Sequence, residues 1–431
     1  MVAELVGPPP TGAPEPPKNA ATAAEPRRKR LPVLDGIRGY IAIGVLFAHT
    51  AYFAGIMDVG PLKGIPVLNW LTVGLTIILT PFFLLSGMLL YKSFAKATFT
   101  GGDAPALKPF FVRRMLRIVP TYWVVVVAAL LLINLSAIDS VWYVLAPLLG
   151  LHYFKGGDFS GLVPGLEITW SVVTEVIFYL LLPLAAALIN RYARSAAGDP
   201  DRQLRRIIWS LAPFVLLGPA WEVYTHLPSM GKYPIEIFWP PMFLGVMAIG
   251  MMLGAMNAYH DVTGRVPRLY QLAAKSPMSW WVVAFGLYIL NCVRPFDKAG
   301  SGDYPPMSQA LLDHVLTVIW GVLVVVPLIA PGARSRFMDA VLGNKMAGFL
   351  GRISYGVYLW HFPVLYFVIG AGSLFGTPAM LMPGTANTWV LIGEVLVGTI
   401  ILATLTYYLV ERPAGRLGGR IVKSGAPTAA L

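Results

Sequence analysis

The chain has 431 residues, of which 56% are hydrophobic and only 13% charged, with a mean hydropathy of +0.66. Soluble domains carry about 25% charge, so a water-soluble fold is excluded. Apolar residues fall in blocks of about twenty, the length that crosses a ~30 Å hydrocarbon core as a helix, and one polytopic all-α integral membrane domain is expected. The formal charge of +12 fits nucleic acid, anionic lipid, an anionic substrate or membrane topology. The single cysteine, Cys292, allows neither an internal disulfide nor a multi-cysteine metal site.

Residues 1–33 are read as a disordered Pro/Ala-rich tail (GPPPTGAPEPPKNAATAAEP) ending in the basic run Arg27, Arg28, Lys29, Arg30. The apolar stretch from about Ile37 to Met57 is long and lacks a small-residue cleavage site, so it is an uncleaved first span rather than a signal peptide. Further windows fall at about 70–91, 118–136, 170–189, 207–219, 236–256, 278–292, 310–330, 353–370 and 389–410, which makes about ten spans. Val141 to Leu151 would add an interfacial helix or a partial span. A membrane domain over 34–417 and a short tail over 418–431 complete the division.

Basic residues test this count. Of 33 Lys and Arg, 27 fall on the side of the N-terminus, and five (Lys63, Lys155, Lys232, Arg294, Lys298) fall on the other, with Arg38 at the inner end of the first span. The positive-inside rule then puts both termini in the cytoplasm. Most of the net charge is topology, and no nucleic-acid partner is expected.

Ionisable groups inside spans are expensive and usually functional. Arg38 and His49 lie eleven residues apart on the first span, which turns the helix about 20° past three full turns and raises it ~16 Å. They share a face with Ala42 and Val45 between them. An arginine at the water boundary can hold phosphate, and a buried neutral imidazole can take a proton from a hydroxyl. A phosphopantetheine arm has roughly this length, which makes acyl-CoA a natural candidate donor; alternatively His49 bonds a neighbouring helix and Arg38 is a topological anchor. Arg114 and Arg117 form an i, i+3 pair near a helix start, fit for an anionic ligand or for lipid head groups. Glu175, in Trp170-Ser171-Val172-Val173-Thr174-Glu175, is placed ~8 Å below the outer surface, at the depth of His49, where the two would form a proton-handling pair; a purely structural carboxylate is the alternative. His361 is placed ~12 Å from the inner side, shallower than His49, and fits the lining of a donor's entry path.

Together these clusters resemble the membrane acyltransferase family 3, bacterial O-acyltransferases, from Leu34 to about Leu417. The family's Arg/Lys-to-His opening motif corresponds to Arg38 and His49, its paired arginines to Arg114 and Arg117, and its Trp-Ser, Glu, Phe-Tyr motif to Trp170, Ser171, Glu175, Phe178 and Tyr179. Also similar are Phe82-Phe83-Leu84-Leu85-Ser86-Gly87, the run from Gly351 through Tyr358 to His361, and the closing Glu411-Arg412-Pro413. This chain has Thr50 where a second polar residue or His is common, and Glu175-Val176-Ile177 where Glu-Glu-Gln is common, so hydrogen-bond support around Glu175 is expected to be thin. With about twenty residues after Tyr408, the fused extracytoplasmic hydrolase-like domain of some relatives is expected to be absent.

The resemblance implies a ten-helix enzyme of the cell (inner/plasma) membrane that moves a small acyl group, acetyl before succinyl, from cytoplasmic acyl-CoA to a hydroxyl of an envelope glycolipid or glycan. Arg38, Arg114 and Arg117 would hold the donor's phosphates, Tyr358 and His361 would line its path, and His49 assisted by Glu175 would activate the acceptor. Acyl-CoA is a substrate; no metal and no permanently bound cofactor are expected, and membrane lipids are the surrounding partners. The rival is a transporter or flippase, which usually shows two matching halves; the first-span motif has no counterpart in the sixth span, Ile237 to Met256.

Overall fold

A computed structural model describes residues 32–54, 71–72, 74–157, 161–293, 304–370 and 388–424. Most of the expected tail, and the basic residues Lys63, Arg294 and Lys298, lie outside them. Fifteen helices are used below: α1 Pro32–Phe53, α2 Thr80–Phe99, α3 Leu107–Leu132, α4 Val141–Leu148, α5 Trp170–Arg194, α6 Pro200–Val215, α7 Leu217–Thr225, α8 Pro241–Thr263, α9 Arg268–Lys275, α10 Pro277–Val293, α11 Met307–Ile329, α12 Arg336–Leu342, α13 Lys345–Ile369, α14 Thr388–Thr406 and α15 Arg412–Ser424. No strand occurs among the described residues.

Among the described residues, six helical stretches are long and apolar enough to cross a membrane: Leu107–Leu132, Trp170–Arg194, Pro200–Thr225, Ile235–Thr263, Met307–Ile329 and Trp389–Val422. Three further helices, α1, α2 and α13, have 22, 20 and 25 residues but carry more polar groups, which they turn inward. The window expected at 70–91 is displaced in the structure: a 3₁₀ turn, Leu75–Ile77, precedes α2, which starts at Thr80 with Pro81 in its first turn and continues to Phe99. The ambiguous stretch after Asp139 is a helix of 8 residues capped by Ser140, whose hydroxyl accepts from the Tyr143 amide. Its Val141 and Trp142 are exposed, as an interfacial helix requires.

Inside a membrane, helices associate through close packing more than through water exclusion, and small residues let backbones approach. Two parallel pairs follow this rule. In α2 and α8, a Cβ added to Gly87 would stand 2.1 Å from the Met247 carbonyl oxygen, and one on Gly250 2.3 Å from that of Leu84. In α1 and α13, a Cβ on Gly39 would meet the Gly351 nitrogen at 2.7 Å, and one on Gly351 the Asp35 carbonyl oxygen at 2.0 Å. Only glycine fits at these crossings. Polar clamps add to them: Tyr91 donates to Asn190 (2.7 Å) and Asn190 to the Phe94 carbonyl (3.1 Å), tying α2 to α5. Lys92 bridges to Asp261 at 2.8 Å and ties α2 to α8.

The register of the α1–α13 contact positions the site. His49 lies ten residues beyond Gly39, and His361 ten residues beyond Gly351. Two parallel helices touching at those glycines climb the same ~15 Å to their histidines. The two imidazoles therefore arrive at one level.

The segment before α5 also shapes the bundle. Residues 163–169 turn back into the protein instead of crossing its surface, with Leu166 and Thr169 fully buried. Their carbonyls are claimed by neighbours: Asn134 donates to Pro164 O (2.9 Å), Tyr153 to Leu166 O (2.6 Å) and Tyr358 to Ile168 O (2.8 Å). Buried loop backbone needs such partners. Gly165 adopts φ +80°, and a Cβ there would lie 2.8 Å from Ile133 and 3.7 Å from Pro363, so the turn fits between α3 and α13 only as glycine.

Candidate active site

At the end of the bundle where α1 and α3 begin, Arg38, Arg114, Arg117, Ser86, Glu175, Tyr179 and Tyr355 line a narrow cleft. The sequence motifs anticipate this gathering of arginines. Arg38 lies over the Phe82 ring at 5.2 Å and Arg114 over Tyr179 at 6.0 Å, so each guanidinium rests on an aromatic face while its N–H groups stay available. The Tyr355 hydroxyl donates to Ile118 O at 3.0 Å and fixes α13 against α3.

Glu175 belongs to this arginine cleft. Ser86 donates to its Oε1 at 3.2 Å, and the Tyr179 hydroxyl donates to the same oxygen. The support expected to be thin is thus supplied by Ser86 and Tyr179, one turn along α5. The expected pairing of Glu175 with His49 is not what the structure places there. Because residues 163–169 are sunk into the bundle, α5 starts inside it and not at its edge, and Glu175 reaches the level of the arginines.

A second narrow cavity adjoins the first and shares Arg38, Phe82, Glu175 and Tyr355 with it. It extends along Ile41 and Ala42 of α1 to Ser171 and Tyr358. Ser171 donates to the Tyr358 hydroxyl at 2.8 Å, and the Tyr358 ring lies 5.9 Å from that of His361. Tyr358 is therefore the step between the arginine cleft and the histidines.

His49 Nδ1 and His361 Nε2 are 3.0 Å apart, with ring centroids at 5.2 Å and planes within 10°. His361 was expected nearer the inner side; the glycine register lifts it to His49. His361 is completely buried, while His49 is half-buried and is the one that can be reached. The hydrogen positions follow from the partners. His361 Nδ1 faces the Val357 carbonyl at 3.3 Å, and a carbonyl only accepts, so Nδ1 carries the hydrogen. The neutral ring's Nε2 is then an acceptor, and His49 Nδ1 must donate to it. That leaves the lone pair of His49 on Nε2, the tautomer of a general base.

Beyond the pair, Phe362 packs on His49 (4.9 Å), Phe53 on Phe362 (6.1 Å) and Tyr52 on Phe53 (5.1 Å). Tyr366 lies 6.5 Å from Phe362 and donates its hydroxyl to Glu167. The polar groups thus run in one file from arginines through Glu175, Ser171 and Tyr358 to the histidines and on to Glu167. Sequence reasoning missed Glu167 and Tyr366; the available signal was a lone carboxylate three residues before Trp170. Trp170 itself is structural, stacked on Phe243 (4.5 Å) and Phe238 (5.4 Å).

Comparison with known proteins adds the family. An acyltransferase domain model matches residues 31–408. The chain is 24% identical over 402 residues to the peptidoglycan O-acetyltransferase OatA of Listeria monocytogenes, covering 91% of this chain and 57% of that protein. It is 24% identical over 421 residues to nodulation protein 10 of Rhizobium leguminosarum bv. viciae, covering 90% and 94%. To the putative peptidoglycan O-acetyltransferase YrhL of Bacillus subtilis it is 23% identical over 406 residues, covering 90% and 56%. The chain thus spans somewhat over half the length of the two peptidoglycan-directed relatives. No solved structure matches. With the match running through the arginine cleft and both histidines, the chain is a member of the membrane acyltransferase family 3.

Proposed function

We propose that the protein is an O-acyltransferase of the inner or plasma membrane that moves a small acyl group, acetyl before succinyl, from cytoplasmic acyl-CoA to a hydroxyl of an envelope glycan or glycolipid. The observation that carries this reading is the His49–His361 pair, whose bonding leaves a basic nitrogen on the reachable ring. The names of the relatives favour a glycan acceptor and an acetyl group. The chain crosses the membrane about ten times with both termini cytoplasmic, a topology supported by the 27-to-5 division of basic residues.

In this reading Arg38, Arg114 and Arg117 hold the donor's phosphates, and the arm rises past Tyr358 toward His49. Glu175 lies among the arginines, where it offsets their mutual repulsion when no phosphate is bound, instead of pairing with His49. His49 Nε2 takes the proton of the acceptor hydroxyl as that oxygen forms its bond to the thioester carbonyl carbon. The C–S bond breaks, and the imidazolium returns the proton to the departing thiolate. His361 holds His49 in the required tautomer throughout.

The test uses purified full-length protein, labelled acetyl-CoA and an envelope glycan fraction. Ester formation should fall about 10²- to 10⁴-fold in His49→Ala, the contribution of a general base, and CoA alone should raise the thermal unfolding temperature. Full turnover by His49→Ala would sink the proposal.

A further inference from the structure

The carboxyl of Glu167 is not used by this mechanism. Glu167 sits in the buried turn before α5, with Oε1 accepting from Tyr366, while Oε2 is closed off from solvent without a hydrogen-bond partner. A stranded carboxylate oxygen is destabilising in a low-dielectric setting, so a fold that keeps one gains from a donor that arrives later. Burial pushes this carboxyl up to about 7, outweighing the bond from Tyr366 and the pull of the Gly165 and Glu167 backbone amides.

Its place in the file of polar groups says what that donor is. Tyr366 stands five residues beyond His361 on α13, about 7.5 Å further from the arginines. Two ring-to-ring steps, 6.5 Å from Tyr366 to Phe362 and 4.9 Å from Phe362 to His49, join Glu167's partner to the base. The donor's arginines lie at the opposite end. A carboxylate held by Tyr366, whose ring continues into the aromatic run of Phe362, Phe53 and Tyr52, suits a molecule with O–H groups on its rim and C–H faces between them. That description fits a sugar ring.

We infer that Glu167, held by Tyr366, is the acceptor-binding residue: its Oε2 accepts from one hydroxyl of the acceptor while another hydroxyl of the same acceptor is presented to His49 Nε2. The inference rests on the acyltransferase reading and adds to it the residue that selects the acceptor. The residue as a whole is half-buried, and the terminal torsion of a glutamate is soft, so Oε2 turns to the ligand without disturbing the backbone. The buried turn supplies rigidity: Pro164, Leu166 and Ile168, around Glu167, have their carbonyls anchored to Asn134, to Tyr153 and to α13.

The experiment measures transfer from labelled acetyl-CoA to the envelope glycan fraction, titrating each substrate in turn. Glu167→Gln keeps an acceptor for Tyr366 and preserves the fold, but it removes the charge that strengthens the sugar contact. It should raise the acceptor KM about 10-fold, the worth of a charge-assisted hydrogen bond, and leave the acetyl-CoA Kd within about twofold. Glu167→Ala should raise it at least as much. An acceptor KM unchanged in both variants, or an equal loss of acetyl-CoA affinity, overturns the assignment while the acyltransferase reading stands. A wild-type protein that transfers nothing refutes that reading, and the subsite with it.

Discussion

Replacing His361 by leucine isolates the proposed purpose of the histidine pair. Leucine fills much of the imidazole's space in a site that is completely buried, but it offers nothing to His49 Nδ1. The bond it deletes is 3.0 Å long and joins two neutral rings, worth about 0.5–1.5 kcal/mol net, and a stranded N–H in an apolar setting loses a further ~1–3 kcal/mol. Both terms act on one equilibrium, since the tautomer with its hydrogen on Nε2 no longer carries a penalty. The base-competent form of His49 becomes the minor one. At about 1.4 kcal/mol per decade, kcat should fall about 10- to 1,000-fold, with the acyl-CoA KM unchanged. The assay is steady-state transfer at saturating donor, with retention of acyl-CoA binding as the control for folding. The double variant His49→Ala, His361→Leu should be no slower than His49→Ala alone, because a positioning residue has nothing left to position. A kcat within twofold of wild type for His361→Leu would refute the reasoning, as would a double variant slowed by the product of the two single effects.

Two further outcomes follow from the same geometry. Arg114→Ala with Arg117→Ala should raise the acyl-CoA KM about 10- to 100-fold or more through loss of charge-assisted phosphate contacts, with kcat little changed; an unaltered KM removes both from the donor site. Gly351→Ala puts a methyl 2.0 Å from the Asp35 carbonyl oxygen, which forces α1 and α13 apart, so the unfolding temperature and kcat should drop together. Wild-type activity at wild-type stability would show that the register of these helices does not set the histidine contact.

Much of this arrangement is legible in the sequence, because charged residues in an apolar helix are few and each has a reason to be there. The arginine cleft follows from Arg38, Arg114 and Arg117, and helix boundaries near Trp170 and Met307 follow from hydropathy. Depth was less legible. Estimates for His49, Glu175 and His361 measured each residue from an assumed membrane edge, whereas the actual level is set by where neighbouring backbones touch. Gly39 and Gly351 determine that for the histidines, and nothing in either helix's own hydropathy marks them as partners. Glu175 went astray for a related reason: a polar, Gly-containing stretch, Pro164-Gly165-Leu166-Glu167, reads as surface loop, yet it is buried by hydrogen bonds from Asn134, Tyr153 and Tyr358 that only the folded bundle brings within reach.

The histidine pair is backed by the main-chain oxygen of Val357 and not by a carboxylate. A fixed anion in that position would feel the membrane's electric field, at about 2.3 kcal/mol per charge per 100 mV. With two neutral rings and a neutral peptide group, the histidine pair itself holds no net charge between turnovers. In the proposed reaction the hydrogen leaves the acceptor as part of a hydroxyl and departs on the thiol of the spent donor. Such a transfer between the two faces of an energised membrane would be neither driven nor opposed by the voltage across it.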